Sequence, residues 1–453
     1  EFTYGESWLL DGARQVAHGQ GLYAPADHIP LMHIAYTPLY YAVVGGLLRL
    51  FGDYGYTTGR LVSLAATLGG TLALAWTVRC MSGRWLVGFL GGGLFLTQNL
   101  TTLLWAPMHR VDPFALGLTL VGLALATAGR LRLAAILFLL ALFTKQTFFV
   151  APIAVAVALW PCRDRLVRYL AVLLIGGGVL LAATQLLTNG WFLWHTVIAN
   201  SNRLDLITFA TLMGSFLQFN GLFVLGALAS FALPSRPGER LWRLYFLGCL
   251  LTLPSVAKLG ASSNYWLELS AAVAVLLALA AQRLAQLPLG GLVAPLGFAG
   301  ALLIPLPGYQ ATASEAAVNF ADLISPPQIR YLSLVGDGDA VSAMRIDARF
   351  VDQLAREPGD LLTDNSGLAV AAGKRIEFEF QIFQLLQAEG HWSEQPILDA
   401  VTARRFSLVA LMHPLDGPVD NTRWTPALQH ALRAAYTPDG QQAGFWLYRP
   451  RSG

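Results

Sequence analysis

Apolar residues run in long blocks through the first two thirds of the chain, divided by short polar stretches. Blocks at 57–79, 85–106, 113–130, 168–187, 212–233, 241–258, 265–282 and 288–306 have the length of a membrane helix, about 20 residues for a hydrocarbon core of roughly 30 Å. Two shorter runs, 131–144 and 147–160, meet at Lys145-Gln146, and fit a helical hairpin with that pair at its apex. The pattern predicts ten crossings, two of them short. Ahead of the first block, Trp8, Leu9, Ala13, Val16 and Ala17 recur at helical spacing, as in a helix lying flat at the membrane interface. The apolar run 36–51 is too short to cross and predicts a second interfacial helix.

The basic residues of the short loops orient this pattern, because they collect on the cytoplasmic side. Arg79 and Arg84, Arg130 and Arg132, Arg163, Arg165 and Arg168, then Arg236, Arg240, Arg243 and Arg283 occupy alternate loops. The other side receives residues 1–56, the 107–112 loop, the Lys145 apex, the 188–211 loop, 259–264 and the whole tail. That tail changes character at Pro305-Leu306-Pro307-Gly308. Short β-like runs (Asp360–Thr363, Phe406–Leu411, 445–448) alternate there with amphipathic helical stretches (347–357, 380–389, 395–404, 425–436), the pattern of a small α/β layer domain.

Composition agrees with this division into 1–56 (first outer loop), 57–307 (membrane domain) and 308–453 (outer α/β domain). Only 13% of the 453 residues are charged and 55% are hydrophobic, against about 25% charged in soluble chains. Residues 1–307 hold 18 Lys/Arg and 10 Asp/Glu; residues 308–453 hold 12 and 17. The overall charge of +3 is thus the sum of two opposite balances and calls for no nucleic-acid partner. Cys80, Cys162 and Cys249 all fall in the membrane part without metal-ligand spacing. The chain opens on the polar Glu1 with no signal-like start, and is taken to begin after a first membrane helix.

Candidate chemistry collects on the outer side. The first segment offers Glu1, Glu6, Asp11, Asp27, His28 and His33 among aromatics that include Tyr36 and Tyr40. The turn Met108-His109-Arg110-Val111-Asp112-Pro113 places Asp112 at a helix start, as a cap, a partner of Arg110 or a functional acid. Lys145 in Phe143-Thr144-Lys145-Gln146-Thr147 interrupts apolar sequence; at about 2.5–3.5 kcal/mol on insertion scales, such a lysine is a functional candidate, with snorkelling to headgroups as the plain alternative. Lys258 and the turn Ser262-Ser263-Asn264-Tyr265-Trp266-Leu267-Glu268 complete the set, with His195, Asn200, Asn202, Arg203 and Asp205 as weaker candidates.

These motifs resemble the GT-C superfamily of polyprenyl-phosphate-sugar-dependent glycosyltransferases, in the group of protein O-mannosyltransferases and the lipid A aminoarabinose transferase. The segments "ARQVAHGQGLYAP", "YTPLYY", "GRLVSLAATLGG", "HRVDP", "LFTKQT" and "NYWLE" follow in family order, with "HRVDP" and "LFTKQT" the most specific. The tail, with "LLTDNSGLAVAAGK" and "FWLYRP", resembles the small outer domain of many bacterial members. The resemblance implies a polytopic α-helical GT-C-like bundle with interfacial helices in the first outer loop, plus a C-terminal α/β extracytoplasmic domain. It maps the family's first-loop acid onto Glu6, with Glu1 and Asp11 as rivals because Tyr4 stands where an Asp is expected. It maps the second-loop acid onto Asp112. Thr37 stands where related transferases place a phosphate-binding lysine.

The implied activity is an inverting transfer of sugar, at the outer face of a prokaryotic inner membrane, from a polyprenyl-phosphate donor to a glycan, lipid or protein. Glu6 takes the role of base, since an acceptor hydroxyl must give up its proton as it attacks. Asp112 orients the acceptor or helps bind a cation. Lys145, then Lys258 and Arg203, meet the charge of the departing phosphate. Tyr36, Tyr40, His109, Arg110, Gln146, Asn264, Tyr265 and Glu268 line the pocket. The resemblance implies a transfer that is metal-independent or assisted by a divalent cation, for which Glu6, Asp112 and His109 are the candidate site. The alternatives are a lipid-linked-glycan ligase or polymerase, a non-catalytic transporter or flippase and an envelope scaffold. Transport predicts polar elements at the bilayer midplane, whereas most polar residues here collect at one surface.

Overall fold

The computed structural model describes residues 2–98, 101–200, 204–258, 260–286, 317, 320, 330–331, 344–345, 348–417 and 424–452. The predicted 288–306 crossing, Glu1 and Arg203 lie outside them. The helices are α1 (Phe2–Ala17), α2 (Leu39–Phe51), α3 (Thr57–Ser82), α4 (Trp85–Thr97), α5 (Thr101–Trp105), α6 (Val111–Thr127), α7 (Leu131–Leu142), α8 (Val150–Ala158), α9 (Arg163–Leu187), α10 (Trp191–Leu193, continuing as a π-turn), α11 (Leu206–Ala229), α12 (Glu239–Thr252) and α13 (Leu267–Leu284). In the tail follow α14 (Ala348–Arg356), α15 (Ser366–Ala371), α16 (Phe380–Ala388), α17 (Gln395–Thr402) and α18 (Pro426–Ala435). The chain forms two compact units: 1–58 with 184–201 and 325–453, and 59–183 with 202–324.

The second unit is a bundle of apolar helices. Four helical stretches among the described residues are long and apolar enough to cross a membrane: Thr57–Ser82, Arg163–Leu187, Leu206–Ala232 and Ser263–Leu284. The other predicted crossings that fall within the described residues are helical but shorter. Within the 85–106 block the described helices are α4, of 13 residues, and α5, of 5, and the hairpin arms α7 and α8 have 12 and 9 residues. At 1.5 Å per residue those arms reach only about 18 and 14 Å. The cause is local, for the backbone leaves the helix around Lys145 between Phe143 and Phe149. Small residues allow close packing elsewhere. A Cβ on Gly117 of α6 would stand 2.6 Å from the Ala66 carbonyl oxygen of α3, a close backbone approach typical of membrane helix pairs.

The first unit joins the two ends of the chain. Strands β3 (Asp360–Thr363), β4 (Phe406–Leu411), β5 (Tyr436–Gln442) and β6 (Phe445–Pro450) form a sheet of order β3-β4-β6-β5. β3 and β4 are parallel and the other neighbours antiparallel. A separate antiparallel pair, β1 (Arg330–Tyr331) and β2 (Met344–Arg345), precedes the sheet. Helices α16, α17 and α18 cover it with Phe380, Phe383, Ile397, Leu428 and Leu432. The core also takes in Ala26, Ile29, Leu31 and Ala199 from distant stretches. Leu31 adds a parallel bridge to Phe378, with hydrogen bonds of 2.8 and 2.9 Å to Glu377 and Glu379. Trp392 donates its indole N–H to the Ala26 carbonyl at 2.6 Å.

Helix α1 occupies the predicted place, but its polar and apolar faces alike are enclosed. Glu6, Ser7, Leu9, Leu10, Asp11, Ala13 and Gln15 are all buried, because α2 and α15 both pack on it.

Candidate active site

The predicted residues divide between the units, and the second holds a dense constellation. Asp112 is the second residue of α6; the residue at the helix cap is Arg110, in extended conformation. Asp112 is therefore no cap, though the exposed N–H groups of a first turn favour a carboxylate there. Its side chain is 1% exposed, and Oδ1 accepts from Lys145 Nζ at 2.5 Å and Asn264 Nδ2 at 2.8 Å. Among the described residues no donor reaches Oδ2. Removing two charges from water costs several kcal/mol each, which close pairing and further hydrogen bonds must offset.

Each partner is delivered by a break in helical structure. Lys145 sits in the turn between α7 and α8, where its N–H closes on the Ala141 carbonyl at 2.8 Å. Its ammonium lies 5.1 Å from the centroid of the Tyr265 ring, a cation–π distance. Asn264 and Tyr265 belong to the 3₁₀ turn Ser263–Trp266 ahead of α13. Trp105 of α5 donates to Ser263 Oγ at 3.0 Å and pins that turn. Lys258 forms an antiparallel bridge with Leu204 and stands near enough to Lys145 for their charges to repel. Glu268, on the first turn of α13, accepts from the Tyr245 hydroxyl at 3.0 Å and feels the Lys145 charge.

The rest of the "HRVDP" turn is fixed by packing. The His109 ring is buried against Gly59, where a Cβ would come within 2.5 Å of it. The Arg110 carbonyl accepts from Ser63 Oγ at 3.0 Å, while its guanidinium lies 5.1 Å above the Trp105 ring. The direct partner of Asp112 is thus Lys145 rather than Arg110. Gln146 follows, half-buried.

In the first unit Glu6 is buried on α1, and Tyr40 is fully buried in α2. Tyr36 stacks on Trp8 at 5.5 Å, and its carbonyl accepts from the Tyr23 hydroxyl at 2.9 Å. The Asp11 carboxyl accepts from Gln15 Nε2 at 2.9 Å. Burial raises its pKa; Gln15, Arg375, Arg14 and the Ile376 N–H work the other way. His33 donates its backbone N–H to Glu379 at 2.9 Å, and His195 holds the Ile34 N–H and the Ala24 carbonyl. Burial lowers the His195 pKa to about 4. Tyr245 gave no sequence signal, being an isolated polar group in a helix, and Ser63 stands in the "GRLVSLAATLGG" segment with nothing to single it out. Among the described residues no three His, Cys, Asp or Glu side chains converge to hold a metal ion, so no step is assigned to one.

No protein-family profile matches the chain, and no curated protein matches it in sequence. Among solved structures it is similar to ArnT from Cupriavidus metallidurans bound to undecaprenyl phosphate, with a TM-score of 0.63 at 13% identity. The alignment covers 98% of this chain and 93% of that one. ArnT from the same organism in the apo state gives 0.64 at 12% identity, with the same coverage. The likeness runs over nearly the whole of both chains and shows that they share a fold. The apolar helices and the small C-terminal α/β sheet both belong to that shared fold.

Proposed function

We propose that the chain is an integral-membrane glycosyltransferase that transfers a sugar from a polyprenyl-phosphate donor to a glycan, lipid or protein acceptor, with inversion, at the outer face of the inner membrane. The buried Asp112–Lys145–Asn264 cluster supports this most strongly. It is joined by a fold shared with a protein bound to undecaprenyl phosphate.

In this reaction the bond between the sugar's anomeric carbon and the phosphate oxygen breaks, and a bond from that carbon to the acceptor oxygen forms. The acceptor proton passes to Glu6. Charge develops on the departing polyprenyl phosphate, where a fixed cation in a low-dielectric site is most effective. Lys145 meets that charge, an ammonium having three N–H donors to share between a carboxylate and a phosphate. Asp112 holds Lys145 in place, and its Oδ2 offers an acceptor for a substrate hydroxyl. Lys258 and Arg203 add positive charge. Tyr36, Tyr40, His109, Arg110, Gln146, Asn264, Tyr265 and Glu268 shape the pocket. The C-terminal domain lies on the outer side.

The test is to incubate the purified chain with a panel of polyprenyl-phosphate sugars and to follow sugar release or transfer. At least one donor is consumed by the wild type. Glu6→Gln lowers that turnover about 1,000-fold, to a small residual rate, without lowering membrane expression. Consumption of none of the donors contradicts the activity; full turnover by Glu6→Gln contradicts the base.

A further inference from the structure

Helix α1 is gripped from two sides within its own unit. Towards α2, Gly12 and Gly45 let the helices touch: a Cβ on Gly12 would stand 2.7 Å from the Tyr41 ring, and one on Gly45 would stand 2.6 Å from the Ala13 carbonyl oxygen. Asp11 and Arg14 lie about 140° and 80° around the helix from Glu6 at 100° per residue, on the side away from Gly12. Asp11 meets the Ile376 N–H and the charge of Arg375 in the C-terminal domain. Arg14 spreads its guanidinium over two carbonyls: Nε and Nη2 reach Tyr54 at 2.9 and 2.7 Å, and Nη1 reaches Val370 of α15 at 2.9 Å. One planar group thereby ties α1 both to the end of the first segment and to the C-terminal domain. A second tie, Ser7 Oγ to Tyr56 Oη at 2.8 Å, lies on the residue next to Glu6.

We propose that Arg14 is a positioning residue for Glu6, through which the C-terminal domain fixes the rotation of α1 and thus the direction of the carboxylate. This rests on Glu6 being the base. Two anchors on one guanidinium suit the task, since its donors form a rigid planar fork, whereas a lysine offers a rotatable point charge that fixes no such angle. The C-terminal domain accordingly takes part in turnover without contributing a reacting group.

The experiment uses the full chain with Arg14→Ala, Arg14→Lys, Glu6→Gln and the Arg14→Ala/Glu6→Gln pair. The readouts are kcat on the donor that the panel identifies, binding of undecaprenyl phosphate, and amide exchange of α1 and α2. Arg14→Ala lowers kcat tenfold or more, leaves undecaprenyl phosphate binding within twofold and speeds exchange in α1 but not α2. Arg14→Lys recovers part of the rate, and supplies the same comparison if the alanine variant does not fold. In the pair, Arg14→Ala adds less than twofold to the loss caused by Glu6→Gln, because residues acting as a unit are non-additive. Unchanged kcat or unchanged α1 exchange in Arg14→Ala overturns the proposal, as do losses that multiply in the pair. A fully active Glu6→Gln overturns the base assignment, whereas the exchange result bears on the clamp itself.

Discussion

Two buried acids in the membrane unit sit in the same local setting and are treated differently by their surroundings. Asp112 opens α6 beside the early part of α3, and Glu239 opens α12 beside the end of α3; each side chain is 1% exposed. The contacts run from Ser63 at one site to Met81 and Ser82 at the other, which puts the sites roughly 27 Å apart along α3 at 1.5 Å per residue. Glu239 is saturated. Arg243 reaches Oε1 at 2.9 Å, while the Arg283 guanidinium and the Arg236 N–H occupy Oε2. Arg236 and Gln282 extend the network to the last carbonyls of α3. Asp112 has one ammonium and one amide, both on Oδ1. A buried acid with every oxygen committed is a joint; one with an oxygen left over is where a substrate group can enter.

The largest effect expected from this contrast is at Asp112. Asp112→Asn removes the carboxylate that anchors the Lys145 ammonium. Turnover falls about 1,000-fold, corresponding to about 4 kcal/mol, with a stability loss of about 3–5 kcal/mol. Donor-consumption assays and thermal melts in detergent measure the two. Restoring stability with Asp112→Asn/Lys145→Gln leaves the protein inactive. A turnover loss under tenfold in the single variant erases the contrast.

At Glu239 the same chemistry predicts a different outcome. Glu239→Gln costs about 3 kcal/mol of stability by leaving arginines unpaired, seen as a lower melting temperature. The kcat of the folded fraction stays within twofold. A tenfold fall in that kcat makes both acids functional and ends the comparison.

A third buried acid lies between these cases. Glu377 in the first unit faces the half-exposed Arg405 at 3.5 Å, with Asp360, Arg375 and Asp11 nearby. Burial, then the Asp360 charge, raises its pKa from 4.5 to about 7. A carboxyl whose folded pKa exceeds its unfolded one holds its proton more tightly when folded. Its contribution to stability is therefore complete below about pH 4.5, declines as pH rises towards 7, and is lost above that. The full difference is about 3–4 kcal/mol. Glu377→Gln flattens the dependence of melting temperature on pH between 5 and 8. An unchanged slope contradicts this.

The smallest effect belongs to Tyr245. Tyr245→Phe deletes one hydrogen bond to Glu268, worth about 1–1.5 kcal/mol in a buried setting. It lowers kcat about threefold to tenfold through Glu268; a lower melting temperature with unchanged kcat contradicts the place of Glu268 in the pocket.

Much of the architecture was legible because it follows from periodicity. The tail stretches 347–357, 380–389, 395–404 and 425–436 fold as α14, α16, α17 and α18, and the three β-like runs are β3, β4 and β6. Strand β5 was missed because "YTPDGQQ" is polar and mostly exposed, leaving no alternation to detect. Helix α15 was missed because its six residues are too few for a helical period. At the site, Lys145 was legible through its cost in apolar sequence, whereas its pairing with Asp112 was not. That contact joins positions 33 apart and depends on where the hairpin α7–α8 turns, which hydropathy blocks do not specify. The interlocking of residues 26–34 with 376–379 was equally hidden, since a single bridge at Leu31 leaves no pattern in either stretch.

The most direct test of the contrast is the binding of undecaprenyl phosphate to the purified full chain in nanodiscs, comparing wild type, Lys145→Gln and Glu239→Gln. Lys145→Gln weakens binding tenfold or more, while Glu239→Gln leaves it within twofold. Equal affinity in wild type and Lys145→Gln contradicts the assignment of the Asp112–Lys145 pair as the reaction centre.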